Sequence, residues 1–321
     1  MIGHRRFLFV CRCAATALLV GLSALDIALA DCASAPLAFG VVADVQYADQ
    51  DDSGRRHYRA SLQKLQECVA DLNREPLAFT IQLGDIVDRG SVNLDRVLAV
   101  FNELKMPKYH VLGNHDLSIG RETVLSKLGL TSPYYSFSIG KWRFVALDCS
   151  DVSVEGGWHE NSANYLQARD WLDRLKREGR PYAEPWNGAI GDQQVQWLKQ
   201  QLADAAAADE RVVVFGHMPV LAAASADWAL LYNHEEIARL LESSGVVVAY
   251  LCGHEHAGGY AQQNSVHYVT IQGMVEAPKN AYSVVTLLED RIEIRGTGAV
   301  PTRTLRLSPL RSAKEMNDDV S

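Results

Sequence analysis

Short β-branched or apolar runs recur along the chain, and between the earlier ones apolar positions repeat at helical spacing. The runs cover Leu37 to Ala43, Ala78 to Leu83, Lys108 to Leu112, Arg143 to Leu147, Arg211 to Phe215, Val246 to Leu251, Val266 to Gln272, Ser283 to Leu288 and Arg291 to Arg295. Each has strand length and composition. Tyr58, Leu62, Leu65, Val69 and Leu72 step by threes and fours, which predicts a helix with one apolar face. Leu94, Val97, Leu98, Phe101 and Leu104 do the same after a Ser91 cap, as do Val195, Leu198 and Leu202 after an Asp192 cap. A further stripe of Ile237, Leu240 and Leu241 stops at Gly245. Strands alternating with helices predict an α/β sandwich rather than segregated helical and sheet regions. The last four strands follow one another closely, and residues 151–190 are polar, with the character of an excursion from the sheet. No repeat or low-complexity tract interrupts this order.

Composition narrows the class. Of 321 residues 48% are hydrophobic and 22% charged, so a disordered, collagen-like or coiled-coil chain is excluded. The net charge of −8 disfavours a nucleic-acid partner, which requires a basic face against phosphate. At the N-terminus Arg5, Arg6 and Arg12 precede an almost wholly apolar stretch from Ala14 that closes with Ala28-Leu29-Ala30. This pattern predicts a signal peptide over residues 1–30, cleaved after Ala30. The stretch is shorter than the ~20 apolar residues a bilayer requires and is broken by Asp26, so no stable membrane anchor is expected. The expected organisation is then a domain over 31–307 and a loose tail over 308–321, in a periplasmic or secreted protein; a misassigned start codon would make it cytoplasmic. Cys32, Cys68, Cys149 and Cys252 would remain after cleavage and allow three disulfide pairings. Cys68 on an apolar helix face and Cys252 ending an apolar strand favour buried thiols instead.

Polar residues gather where the predicted strands end. Asp44 and Gln46 follow the first, Asp85 the second, Asn114 and His115 the third, His217 the fifth, and His254 and His256 the sixth. Loops at the carboxyl ends of strands form the ligand crevice of open α/β sheets, so these five loops are expected to converge. Asp85, Asn114, His217 and His254 each follow a glycine, which permits a tight turn and a close backbone approach. Asp44 and Gln46, like His254 and His256, are two residues apart and share a side in extended backbone. Taken singly these signals are weak, since a histidine near a strand end is commonly structural and Gly-Asp is commonly a turn. Their joint occurrence in sheet order points to metal ligation. Imidazole, carboxylate and amide oxygen suit borderline-hard divalent ions, and the lack of a ligating cysteine argues against iron–sulfur or thiolate zinc.

The same residues resemble the signature blocks of calcineurin-like metallophosphoesterases: Asp44-x-Gln46, Gly84-Asp85-x-x-Asp88-Arg89-Gly90, Gly113-Asn114-His115-Asp116, Gly216-His217 and Gly253-His254-x-His256. The resemblance runs from residue 39 to about 300. Most of that superfamily has histidine at the position of Gln46. The stretches FGVVADVQYAD, HYRASLQKL, QLGDIVDRG, GHEHAGGY and VHYVTIQGMVEAP are similar to the manganese-dependent ADP-ribose/CDP-alcohol diphosphatase branch, where glutamine is expected.

What the resemblance implies is specific. The fold would be a four-layer α-β-β-α metallophosphoesterase sandwich with mixed sheets. Asp44, Gln46, Asp85 and His256 would hold one divalent metal and Asp85, Asn114, His217 and His254 a second, with Asp85 shared. Manganese is the foremost candidate, with iron, zinc or magnesium admitted, since an amide oxygen in place of an imidazole hardens one pocket. The reaction would be hydrolysis of the diphosphate bond of compounds such as ADP-ribose and CDP-choline by a hydroxide held between the metals. His115 would act as general acid or charge stabiliser beside the ligand Asn114. Asp88 and Asp116 would be supporting or turn residues. Ser225 to Asn233 resembles the branch's substrate-side loop, which marks Leu230 and, after the last metal block, Tyr260 as substrate contacts. The loop Asp49 to Gly54 is shorter than in that branch and carries no aromatic residue. His57, His110, His159, His234 and His267 have no assigned role. The expected partner is a small nucleotide substrate, acted on by a monomer. Two alternatives stay open: a cyclic-nucleotide or other phosphodiesterase or phosphomonoesterase with the same centre, and a non-catalytic interaction module on the same fold. The second would show eroded ligands, and all seven are present.

Overall fold

In the computed structural model, which describes residues 36–308, the elements in chain order are β1 (Leu37–Val42), α1 (Tyr58–Leu72), β2 (Phe79–Gln82), α2 (Ser91–Phe101), β3 (Lys108–His110), α3 (Arg121–Leu128), β4 (Tyr135–Ile139), β5 (Trp142–Ala146), α4 (Ala163–Arg177), α5 (Asp192–Ala207), β6 (Arg211–Phe215), α6 (His234–Ser243), β7 (Val247–Cys252), β8 (Gly259–Gln263), β9 (Val266–Thr270), β10 (Ala281–Leu287), β11 (Arg291–Gly298) and β12 (Arg303–Arg306). The expected signal peptide, Cys32 and all but the first residue of the expected tail lie outside the described residues. No helix among the described residues is long and apolar enough to cross a membrane.

Two mixed sheets of six strands carry the fold, ordered β12-β11-β10-β1-β2-β3 and β4-β5-β6-β7-β9-β8. β1 pairs parallel with β2 and antiparallel with β10, and β6 pairs parallel with β5 and β7. Strands so placed are covered on both faces, which is why they are continuous apolar runs rather than alternating ones. Between the sheets lies an aromatic cluster. Phe39 of β1 stacks on Phe79 of β2 at 4.7 Å and meets Phe144 of β5 and Phe215 of β6 edge-on at 5.7 and 5.8 Å. Tyr109 of β3 stacks on Phe137 of β4 at 3.9 Å. Such contacts add about 0.5–1.5 kcal/mol per pair beyond the area they bury, and here every sheet-to-sheet pair also fixes the register of one sheet against the other.

The outer faces carry helices. Leu65, Val69 and Leu72 of α1 and Leu94, Val97 and Phe101 of α2 pack on the first sheet, while Val195, Leu198 and Leu202 of α5 and Ile237 and Leu241 of α6 pack on Val145, Val212 and Val214 of the second. The four-layer α-β-β-α order expected from the sequence is therefore present. Cys68, Cys149 and Cys252 are free and buried within these layers.

Several elements depart from the expectations. β4, β8 and β12 were not foreseen; all three stand at sheet edges, where a strand is half-covered and is defined by its neighbour's hydrogen bonds more than by its own hydrophobicity. β4 does alternate, with Tyr135, Phe137 and Ile139 against Ser136 and Ser138. Ser91 and Asp192 begin their helices rather than cap them; Gly90 and Gly191 hold the capping positions, without side-chain bonds. The polar stretch 151–190 contains α4, whose buried Ala168, Leu172 and Leu175 serve a small separate cluster with Tyr182, Leu230 and Tyr232. Paired backbone bonds between Val152 and Ala189, at 3.0 and 2.9 Å, close the excursion at its base.

His110, at the end of β3, is buried against the Phe101 ring at 5.2 Å, and its Nδ1 has no partner. Burial, with a smaller push from Lys108, lowers its pKa to about 4. The unfolded chain therefore binds this proton between pH 6.5 and about 4 while the fold excludes it, so the stabilising effect is complete above pH 6.5 and is lost as pH falls. Denaturant unfolding of wild type and His110→Leu at pH 7 and pH 4 should show the variant losing about 3 kcal/mol less over that interval. Equal losses would mean that His110 accepts its proton in the folded state.

Candidate metal centre

The parallel strands of both sheets end at one place. Asp44 and Gln46 leave β1, Asp85 leaves β2, Asn114 and His115 follow β3, His217 follows β6, and His254 and His256 follow β7. The segments are laced together by their backbones: Gln46 N–H donates to Asp85 O at 2.8 Å, Gly253 N–H to His217 O at 3.0 Å, and Val275 N–H to Asp44 O at 2.9 Å. Asp44, Gln46, Asp85 and His254 all take positive φ, at 50°, 40°, 55° and 69°. Non-glycine residues seldom do so, and four of the seven such residues among those described belong to this one centre. Two glycines make the approach possible. A Cβ on Gly113 would collide with the Asp85 carboxylate, and one on Gly84, itself at φ 96°, with the His217 ring.

Two donor sets share Asp85. On one side Asp85 Oδ2 accepts from Gln46 Nε2 at 3.0 Å; Gln46 Nε2 is 3.3 Å from His256 Nε2, which is 3.5 Å from Asp44 Oδ1. On the other side His217 Nε2 lies 3.3 Å from Asp85 Oδ2, 3.2 Å from Asn114 Oδ1 and 3.2 Å from His254 Nδ1. Asp85, His217 and His254 by themselves form a group able to hold a metal ion.

The outer partner of each imidazole fixes its tautomer. His217 Nδ1–H donates to Leu83 O at 2.8 Å, His254 Nε2–H to Asn187 Oδ1 at 2.9 Å, and His256 Nδ1–H to Glu276 Oε1 at 3.0 Å. In the neutral ring the remaining nitrogens, His217 Nε2, His254 Nδ1 and His256 Nε2, therefore turn their lone pairs into the cluster. Lone pairs and carboxylate oxygens crowded to about 3 Å repel one another unless a cation stands between them. Gln46 Oε1 is buried with no hydrogen-bond partner, a further acceptor that a cation would satisfy. The donor set thus fits divalent metal.

Electrostatics agrees. Burial opposes charge on His217 and His256, yet Asp85 and Asp44 outweigh it and raise both to about 9. His254 moves the other way, well below the usual imidazole value, from burial and the neighbouring His217 charge. Asp85 is disfavoured by burial, but His217, His115 and His254 hold it below the usual carboxylate range. The centre therefore demands positive charge, and protons and metal ions compete for it.

Around the donors stands a second ring of groups. Asp116 accepts from the backbone of Asp85 and Gly113, both at 2.9 Å, and so clamps the β2 and β3 loops together as a turn residue. His115, partly exposed, donates its backbone N–H to Asp85 Oδ1 at 2.8 Å and sets its Nδ1 3.0 Å from Asp88 Oδ1. Burial lowers its proton affinity, but Asp85 and Asp88 more than offset this and raise it above the ordinary value. Glu276, besides holding His256, pairs with Arg55 at 3.0 Å and faces Arg56 at 3.9 Å.

Sequence reasoning assigned nothing to Asn187 or Glu276. Asn187 sits in the polar excursion before Gly188, where Asn-Gly signals only a turn; Glu276 falls within the stretch VHYVTIQGMVEAP that resembles the diphosphatase branch, but nothing local to it marks a carboxylate that orients His256. Neither of the two expected substrate contacts has a side-chain hydrogen bond to the donors. Leu230 is 2% exposed, packed with Leu172, Tyr182 and Tyr232, because its backbone position faces inward to the α4 cluster. Tyr260, on edge strand β8, bonds His267 Nδ1 at 3.1 Å and lies under the Arg303 guanidinium at 5.1 Å.

Residues 37–258 match the calcineurin-like phosphoesterase family. The manganese-dependent ADP-ribose/CDP-alcohol diphosphatase of Arabidopsis thaliana is 34% identical over 295 residues, covering 81% of this chain and 94% of its own length. Its namesake from Mus musculus is 33% identical over 325 residues, covering 85% and 94%. The crystal structure of a dimetal phosphatase from Danio rerio superposes with a TM-score of 0.79 at 30% identity, covering 85% of this chain and 99% of that one. A purple acid phosphatase from yellow lupin, at 15% identity and TM-score 0.55 over 88% of this chain and 55% of its own, shares the fold alone.

Asn187→Ala removes the acceptor that holds His254 in its ligating tautomer. Titration calorimetry should show manganese affinity falling by roughly 10–100-fold, the usual effect of losing such an outer partner. Unchanged affinity would mean that His254 is oriented by something else.

Proposed function

We infer, from the premise that this chain belongs to the calcineurin-like phosphoesterase family, that it is a metal-dependent hydrolase that cuts the diphosphate bond of nucleoside diphosphate-linked compounds of the ADP-ribose and CDP-alcohol kind. The observation that carries the reading is the pair of donor sets sharing Asp85, with Gln46 in one of them. The names of the relatives at 33–34% identity support the substrate class and manganese.

In this reading Asp44, Gln46, Asp85 and His256 hold one ion, and Asp85, Asn114, His217 and His254 the other. Two divalent ions would bring four positive charges against the carboxylates of Asp44 and Asp85, a surplus that draws the diphosphate and stabilises charge building on phosphoryl oxygens. The chain's own residues do the rest. Asp116 and the backbone lacing keep the donors at fixed separation, so little rearrangement accompanies the reaction. His115, set at Nδ1 against Asp88 and with its proton affinity raised by the neighbouring carboxylates, would present an Nε2 proton to the departing oxygen. Glu276, Asn187 and the Leu83 carbonyl keep the three imidazoles in ligating form.

The purified protein should be assayed with Mn²⁺ and with Mg²⁺ on ADP-ribose, CDP-choline, cyclic AMP and an aryl phosphate. The expected outcome is fastest turnover of the two diphosphates, with Mn²⁺; faster turnover of cyclic AMP than of both would overturn the substrate class. His115→Ala should lower kcat by roughly 10²–10⁴-fold with metal content intact. Asn114→Ala should lose both activity and one ion. Retained activity in both variants would show the centre to be misassigned.

A further inference from the structure

Among the described residues three large apolar side chains are exposed: Val92, Leu166 and Trp228. Val92 and Leu166 belong to the surfaces of α2 and α4. Trp228 stands beside the metal centre, its ring centroid 6.0 Å from that of His254 and tilted 54° to it, with 42% of its surface open. An indole left uncovered on a folded surface contributes little to folding, so its place beside a phosphate-drawing centre calls for another explanation.

Trp228 is also held there. Its carbonyl oxygen accepts from Asn187 Nδ2 at 2.7 Å, while Asn187 Oδ1 accepts from His254 Nε2 at 2.9 Å. One buried amide thus ties the loop backbone and the metal-facing histidine to each other. Ala229, Leu230 and Leu231, which follow, are buried and anchor the loop from below. The backbone that carries the indole is therefore positioned before any ligand arrives, which lowers the ordering cost that a mobile loop would incur. On the other rim the loop from Asp49 to Gly54 has no aromatic residue, and the neighbouring Arg55 and Arg56 side chains face Glu276 on the His256 side. The centre is flanked by guanidinium groups at one end and by a flat apolar ring at the other.

Resting on the substrate class inferred above, we propose that Trp228 is the stacking platform for the nucleobase, so that the nucleoside lies on the His254 side of the centre and the remaining phosphoalcohol or phosphosugar on the His256 side. Stacking on an indole tolerates any base because every base has a π face. A site built in this way admits adenine and cytosine diphosphates alike, with affinity following stacking strength and purines therefore favoured.

The test uses the manganese-loaded full chain and two probes that differ in having a base. Binding of AMP and of inorganic pyrophosphate is measured by calorimetry for wild type, Trp228→Ala and Trp228→Phe, beside the KM for ADP-ribose. The expected result is a rise of about tenfold in the AMP dissociation constant and in KM for Trp228→Ala, with pyrophosphate binding unchanged and most of the loss restored in Trp228→Phe. Unaltered AMP binding overturns the proposal, and so does an equal loss for AMP and pyrophosphate, which would report damage to the loop. Failure of the substrate reading is separately visible, because wild type would then turn over neither ADP-ribose nor CDP-choline.

Discussion

The Asp85 carboxylate is the interaction on which the rest of the centre depends. It is 1% exposed, its Oδ2 serves Gln46 on one side and His217 on the other, and its Oδ1 accepts the His115 backbone N–H at 2.8 Å. A carboxylate so deeply buried is costly unless it is compensated on every side. That requirement accounts for much of the surrounding architecture: the absence of a side chain on Gly113, the convergence of three imidazoles, and the positive φ at Asp85 that turns its oxygens inward. The backbone strain is sustained because the laced loop ends leave the chain no alternative path.

The sheets explain why the convergence is possible. Asp44, Asp85 and Asn114 come from the first sheet, His217 and the His254–His256 pair from the second. The aromatic cluster between the sheets sets the distance at which these two groups meet. Close-packed aromatic layers are not continuously deformable, so the donors inherit a separation defined by Phe39, Phe79, Phe144 and Phe215 in the core. A metal centre made of side chains from strand ends is thereby stiffer than one made from loops alone.

Beyond the donors, the polar excursion between β5 and β6 connects centre and rim. Through Asn187 it orients a ligating histidine and fixes the Trp228 loop, while its own small apolar cluster takes up Leu230. Orientation of the His254 ring and placement of the Trp228 loop are thus coupled by a single side chain. The Glu276, Arg55 and Arg56 group performs a comparable linkage at the opposite end.

The sequence by itself determined the layered α/β class, the central strands, the four principal helices and the seven donors, because each leaves a local mark: an apolar run, a helical stripe, or a polar residue and glycine where a run ends. The tertiary structure alone decided the rest. Edge strands β8 and β12 exist through pairing with β9 and β11, and α4 is recognisable only once its three apolar residues find their own cluster. Asn187 reaches His254 across 67 residues, a relation that no spacing rule encodes. Which of two neighbours, Trp228 or Leu230, turns to solvent depended on a single irregular turn, Asp227–Ala229, where neither a period of two nor one of 3.6 applies. Local patterns record what each segment buries; which segments meet is set by how the buried surfaces fit together.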